Sequence, residues 1–226
     1  MNKQWCIPPE ANAAFVCAME DILELYHRPS TPDNPLVCMD ESSKQQVIET
    51  RQPIESKPGQ VERYDYEYER NGVSNLFMLF APFEGWRHVK VTDRRTKVDF
   101  AHCIKDVLTL YYPDTEKVTI VMDNLNTHYP SSLYEAFEPA EARSLLERCD
   151  FHYTPKHGSW LNMAEIEFSA LQRQCLDRRI PDQETLRDEI AAWEERRNAK
   201  AVRVNWRFTT ADARIRLKRL YPSIKT

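Results

Sequence analysis

Glycine is nearly missing from this 226-residue chain, with four residues in all: Gly59, Gly72, Gly85 and Gly158. Neither G-x-x-x-x-G-K nor G-x-G-x-x-G occurs, so a glycine loop cradling nucleotide phosphates is not expected. The G-x-S-x-G elbow of serine hydrolases is absent as well. Long apolar runs are lacking. The longest is eight residues, Leu76 to Phe83, against the roughly 20 that a membrane-crossing helix needs, so no passage through a bilayer and no membrane partner is expected. The six cysteines, Cys6, Cys17, Cys38, Cys103, Cys149 and Cys175, form no C-x-x-C pair, and Cys149, His152 and His157 match no standard zinc spacing. Met1 to Pro9 has no basic start followed by an apolar stretch, as a secretory signal would. These features read as reduced thiols in a cytoplasmic protein. There is no internal repeat and no low-complexity segment.

What is present supports a packed core. Hydrophobic residues make up 42% and charged residues 29% of the chain, which argues against wholesale disorder, and the length suits one large domain or one and a half average ones. The formal charge of −4 hides an asymmetry: residues 1–140 hold 14 basic against 22 acidic side chains, and residues 141–226 hold 17 against 13. The stretch 196–226 alone carries ten Lys or Arg and one acid, Asp212, with Trp206, Phe208 and Tyr221 among them. Such a stretch attracts polyphosphate backbones by counterion release, or it is a solvated helix face; charge alone does not choose.

Periodicity orders the elements. Phe15, Met19, Ile22 and Tyr26 recur at helical spacing after Pro8-Pro9-Glu10, and Pro29 ends that helix. Leu36 to Asp40 is a short apolar run ending in a carboxylate, a buried strand. Residues 42–60 are polar and read as an extended loop. Tyr64, Tyr66 and Tyr68 alternate with acids, and Asn71-Gly72 reads as the turn of a hairpin whose second strand is Leu76 to Phe80. Trp86 to Thr92 is a further strand, Val98 to Tyr111 a helix closed by Pro113. Val118 to Asp123 repeats the pattern of β-formers followed by Asp. Residues 131–148 read as a helix and Phe151 to Tyr153 as a strand. Ala164 to Leu176 is an amphipathic helix, Asp182 to Asn198 a charged one, and Thr209 to Asp212 the capped start of a last, basic helix. This order predicts an α/β mixed sheet flanked by helices.

Two strands ending in Asp suggest a site. If they are neighbours, Asp40 and Asp123 lie side by side, and a later helix can bring Glu165 or Glu167 to them. Clustered carboxylates do not all stay ionised without a cation, and hard oxygen ligands suit Mg²⁺ or Mn²⁺. A pair of such ions activates water or a hydroxyl and stabilises the leaving oxygen in phosphodiester cleavage. A strand-end Asp is also a common turn or helix cap. Periodicity does not choose between Glu165 and Glu167, which point roughly 200° apart on a helix, nor between Asp40 and Glu41, which alternate in a strand. His128 and His157 would contact phosphate or scaffold the site, and Cys175 is most simply a core residue.

Four segments carry a resemblance: LVCMDE at 36–41, YDYEYERNGVSNLFM at 64–78, IVMDNLNTH at 120–128 and PKHGSWLNMAEIEFSALQRQCL at 155–176. Together they resemble the catalytic domain of the DDE-type transposases in the bacterial insertion-sequence branch of the mariner superfamily. LNMAE at 161–165 is similar to that family's L-N-x-x-E stretch, which makes Glu165 the third acid and Glu167 its neighbour, with Asp40 and Asp123 as the first and second. The likeness runs from about Trp5 to Pro222, with 41 residues between Asp123 and Glu165.

The resemblance implies an RNase H-like fold, three antiparallel strands and then parallel ones. It implies a catalytic domain at 31–180, preceded by a helix and linker at 1–30 and followed by charged helices and a basic tail at 181–226. It also implies cleavage at transposon ends by Asp40, Asp123 and Glu165 holding Mg²⁺ or Mn²⁺, two ions, and attack of the freed 3′-hydroxyl on target DNA. Double-stranded DNA is the expected partner, bound as a homodimer. From charge and position, phosphate contacts fall to Lys156, His157, Arg173, Arg207, Arg214, Arg216, Lys218 and Arg219. Only 39 residues precede Asp40, too few for the family's helix-turn-helix modules, so an upstream frame is expected to encode the end-recognition part. The alternatives are a non-catalytic or truncated DNA-binding remnant, or another RNase H-fold nuclease acting on RNA in hybrids.

Overall fold

Two core clusters form because each central strand of the sheet alternates its side chains between two covered faces. The computed structural model describes residues 10–28, 31–61, 63 and 65–223. Its five strands, β1 Leu36–Glu49, β2 Tyr68–Ala81, β3 Trp86–Thr92, β4 Val118–Met122 and β5 Cys149–Tyr153, stand in the order β3-β2-β1-β4-β5. β1, β2 and β3 pair antiparallel, and β4 and β5 join in parallel. Leu36, Cys38, Leu76, Met78, Phe80 and Val121 bury one face against helices α1 Ala13–His27, α5 Met163–Leu171, α6 Gln183–Ala199 and α7 Thr210–Arg216. Val37, Met39, Phe77, Leu79, Ile120 and Met122 bury the other against α2 Lys97–Asp106, α3 Ser132–Ala136 and α4 Pro139–Glu147. Each such side chain removed from water contributes about 1.5–3 kcal/mol. Among the described residues no helix is long and apolar enough to cross a membrane.

The helices start where capping chemistry places them. Asn12 accepts from the Phe15 N–H before α1, whose Phe15, Met19, Ile22 and Tyr26 are all buried. Thr96 with Asp99, and Thr209 with Asp212, form reciprocal capping boxes for α2 and α7. Pro8, Pro9, Pro29 and Cys6 lie outside the described residues.

The structure departs from the sequence expectations in three places. Residues 42–49 are strand, not loop, because β1 runs on past Asp40 with β2 paired to it as far as Glu49. Asn71-Gly72 is no turn. It is a bulge inside β2, with both residues set against Gln46, and the chain reverses through 50–67 instead. Gly72, at φ +96°, supplies the left-handed residue that the bulge needs. The helix expected over 131–148 is two helices, because Pro139 opens α4 at its first turn, where its missing N–H costs no bond.

Gly85 shows how the segment after α6 is seated. It has φ +76°, and a Cβ there would come within 2.4 Å of the Ala201 carbonyl oxygen, so only glycine permits this close approach between the β2–β3 connection and the chain leaving α6.

Candidate active site

Strand parity sorts the acids. Asp40 falls on the face of Leu36 and Cys38, Glu41 on the face of Val37 and Met39. β1 and β4 run parallel with Cys38 opposite Val121. Two residues further on, the same register sets Asp40 beside Asp123, on strands about 4.8 Å apart. Helix α5 packs on that face, its Met163 and Ala164 in the core with Cys38 and Val121.

Asn162 fixes where α5 begins. Its Oδ1 accepts from the Ala164 N–H at 3.1 Å, capping the helix, while its Nδ2 donates to the Met39 carbonyl at 2.8 Å. Glu165 thus sits in the first turn of a helix tied to the residue before Asp40. Glu167 is committed elsewhere. It is 1% exposed and lies between two guanidinium groups, Arg87 Nε at 3.0 Å and Arg197, whose Nε and second nitrogen both donate to it. Glu41 is also committed: its Oε1 is 2.9 Å from Nε2 of buried His128, on the opposite face of the sheet.

The remaining three carboxylates repel. Burial, together with the charges of Glu165 and Asp123, pushes the Asp40 carboxyl up to about 7, although it accepts from the Glu41 N–H at 2.8 Å. Burial and Asp123 raise Glu165 too, against a hydrogen bond from Ser159. Hence the three acids share one electrostatic neighbourhood. Among the described residues no group of three or more His, Cys, Asp or Glu side chains is placed to hold a metal ion. Mg²⁺ needs none, since it is commonly bound through one or two carboxylates and keeps several waters. An all-oxygen donor set, and an Asp40 whose charge is unfavourable without a cation, fit that ion or Mn²⁺.

His128 scaffolds the pocket. Its Nδ1 lies 2.7 Å from Asp123 Oδ1 and 3.2 Å from the Asp123 carbonyl. Burial opposes its charge, but the carboxylates of Asp123 and Glu41 outweigh it and push the ring up to about 9. The folded ring therefore holds its proton more tightly than the unfolded one. The stabilisation is complete below pH 6.5 and is lost as pH rises through about 9. The melting temperature of the parent is expected to fall between pH 7 and 9.5, and that of His128→Gln to stay flatter. Equal slopes in the two melting series would refute the charged bridge.

The expected phosphate-binding residues are spread out. Met122 pairs with Tyr153 and the Thr154 N–H donates to the Met122 carbonyl, so exposed Lys156 and His157 follow at the Asp123 edge of the sheet. Exposed Arg173 lines a groove with Ser42, Ser43, Phe168, Ser169 and Gln172. Arg207 is exposed on an extended segment whose Trp206 and Phe208 pack edge-to-face with Tyr26 and Trp160. Arg214 and Arg216 belong to α7, on the outer side of α1, where Arg214 is bidentate to Glu20. Lys218 and Arg219 are exposed just beyond.

Of the supporting residues, His128 is named from the sequence as a contact to phosphate or a scaffold of the site, whereas Asn162, Arg87 and Arg197 are missed. Asn162 carried a legible signal, an Asn cap before an apolar helix. The Glu41–His128 contact spans 87 positions and Arg87–Asn198 spans 111, so no local pattern announces them.

A family model described as DDE superfamily endonuclease matches residues 35–187. No curated protein matches. Solved structures do. The Mos1 mariner paired end complex with Mn is 15% identical, with a TM-score of 0.57 over 89% of this chain and 62% of that one. The paired end complex with Mg is likewise 15% identical, with a TM-score of 0.57 over 99% and 68%. The catalytic domain of the Mos1 mariner transposase is 12% identical, with a TM-score of 0.52 over 87% and 96%. This chain thus spans 62% and 65% of the chains in two of the paired-end complexes. At these identities the likeness is one of fold, and that fold is RNase H-like.

Proposed function

Since this chain belongs to the DDE superfamily of endonucleases, we propose that it is the catalytic domain of an insertion-sequence transposase of the mariner type. It would cut double-stranded DNA at transposon ends and join the freed 3′-hydroxyl to target DNA. The observation that carries this reading is the register of β1 with β4, which sets Asp40 beside Asp123 under the helix bearing Glu165. Asp40 and Asp123 would hold Mg²⁺ or Mn²⁺, two ions, with Glu165 completing the second position. When bound, such ions stabilise the attacking and leaving oxygens of an in-line displacement. The chain's own part is orientation. Asp40 and Asp123 define the floor on which the scissile phosphate lies, His128, itself held by Glu41, holds Asp123 from behind, and Glu165 comes to it from α5. Lys156, His157 and Arg173 would neutralise neighbouring phosphates, and Arg207, Arg214, Arg216, Lys218 and Arg219 would extend that contact over a DNA-bound homodimer. The division into a helix and linker at 1–30, a catalytic domain at 31–180 and a basic extension at 181–226 belongs to this reading, as does an end-recognition module encoded in an upstream frame.

The test is cleavage of duplex DNA bearing the element's ends, with Mg²⁺ or Mn²⁺, by the protein alone and joined to any such module. The parent is expected to cut, and Asp123→Asn to lose on the order of a thousandfold. Cutting by Asp123→Asn at the parental rate would overturn the assignment. A joined protein that binds ends without cutting would leave a DNA-binding remnant, and preference for RNA–DNA hybrids would point to a different nuclease.

A further inference from the structure

Asn162 makes two hydrogen bonds that belong to different elements. Its Oδ1 accepts from Ala164 inside α5, an ordinary cap, but its Nδ2 reaches across to the backbone carbonyl of Met39, one residue before Asp40 in β1. The side chain is 1% exposed, so water does not compete for either bond. Asn162 has a short side chain with few rotamers, and both its polar ends are used. The bridge therefore ties the first turn of α5, where Glu165 sits, to the strand end where Asp40 sits.

The helix is also fixed in roll. Glu167, on the side of α5 away from Glu165, is held by Arg87 from β3 and Arg197 from α6. A clamp of that kind settles rotation about the helix axis but not the distance from the helix start to the β1 end. The Asn162 bridge acts on that distance at the site itself, beside the Cys38 thiol of β1, which the Met163 and Ala164 N–H groups also approach.

We infer that Asn162 is a positioning residue: through the Met39 carbonyl it sets the spacing between Glu165 and Asp40, and so the affinity of the carboxylate group for a divalent cation. The inference rests on the proposed role of these acids. Loss of the bridge leaves all three carboxylates in the chain but lets Glu165 drift from the other two, so the cation loses the contribution of Glu165 without the loss of its charge.

The experiment measures Mn²⁺ affinity directly, by electron paramagnetic resonance of the free ion, on the full chain without DNA. Three variants are compared with the parent. Glu165→Gln removes the acid. Asn162→Ser keeps a helix-capping oxygen but is too short to reach Met39. Asn162→Asp keeps size and cap but replaces the bridging donor with an acceptor. Glu165→Gln and Asn162→Ser are each expected to weaken Mn²⁺ by about tenfold, and their combination to weaken it no further than Glu165→Gln alone. Asn162→Asp adds a negative charge, which by itself would tighten cation binding, so weaker binding there reports the lost bridge and tighter binding overturns the inference. Parental affinity in Asn162→Ser alongside a weakened Glu165→Gln, or additive losses in the double variant, would also overturn it. Circular dichroism melts taken alongside separate the roles, since a cap alone would lower the melting temperature and leave the affinity of the folded protein unchanged. Parental affinity in Glu165→Gln would instead remove Glu165 from the proposed site, and the inference with it.

Discussion

Replacing Arg87 with methionine is expected to destabilise the protein by about 3–5 kcal/mol, well above the common run of single substitutions. Arg87 is 0% exposed and carries a charge into the core. Burial, joined by the nearby Arg197 charge, pulls its guanidinium downward from its ordinary range, and the adjacent Glu167 charge opposes that only in part. Its remaining nitrogens donate to the Gly85 carbonyl at 2.8 Å, Asn198 Oδ1 at 3.1 Å and the Val202 carbonyl at 2.6 Å. Methionine fills a similar volume but leaves the Gly85 and Val202 carbonyls, and part of the Glu167 carboxylate, without those donors in a dry place, while Asn198 Oδ1 keeps the main-chain N–H of residue 87. Adding Glu167→Leu removes the stranded anion, and Arg197, partly exposed, can turn to solvent. The double variant is therefore expected to lose less than the sum of the two single variants, with a coupling of roughly 0.5–3 kcal/mol. Urea unfolding measures both numbers. A loss below about 1 kcal/mol in Arg87→Met, or plain additivity, would mean that the pair is not the bolt joining β3, α5 and α6 that its geometry describes.

Asp40→Asn is expected to move stability and activity in opposite directions. In the folded chain this carboxyl is held at about 7, against 3.8 for an ordinary Asp. Between those two values the unfolded chain gives up the proton and the folded one keeps it, so the parent loses stability as pH rises from 3.8 to about 7 and stays at that lower level above it. Asparagine has no proton to lose, and its Oδ1 still accepts from the Glu41 N–H. At pH 8 with a chelator present, Asp40→Asn should therefore melt higher than the parent, by on the order of 2 kcal/mol or roughly 4–8 °C, and the gap should close near pH 4. Millimolar Mg²⁺ should raise the parent more than the variant by mass action and narrow the gap. Cleavage of end-bearing DNA by the same variant is expected to fall by about a thousandfold or more. A variant that melts below the parent at pH 8 without divalent ions would show that crowding of the acids costs the fold nothing.

These expectations rest on two kinds of information with different origins. Local pattern was enough for the strands that end in Asp40 and Asp123, because β-formers in an unbroken run need both faces covered, and α/β sheets cover both. It was enough for the cap at Thr209, since a cap bonds to a backbone three residues away. It misread Asn71-Gly72, whose preference for positive φ is satisfied equally well by a hairpin turn and by a bulge. What decided there was the length of β1, set by its pairing with β2 over many residues and not by the dipeptide.

By itself the sequence determined the order of elements, the alternation of the central strands and a short set of acids at their ends, all properties of neighbours along the chain. Tertiary structure alone decided which acids remained uncommitted. Glu41 is claimed by His128 and Glu167 by Arg87 and Arg197, which leaves Asp40 and Glu165, both of them raised by the charge of Asp123. A strand's period of 2 or a helix's of 3.6 says which side chains share a face, but a buried charge is settled by whatever partner the fold brings to it, and here those partners come from 30 to 87 positions away.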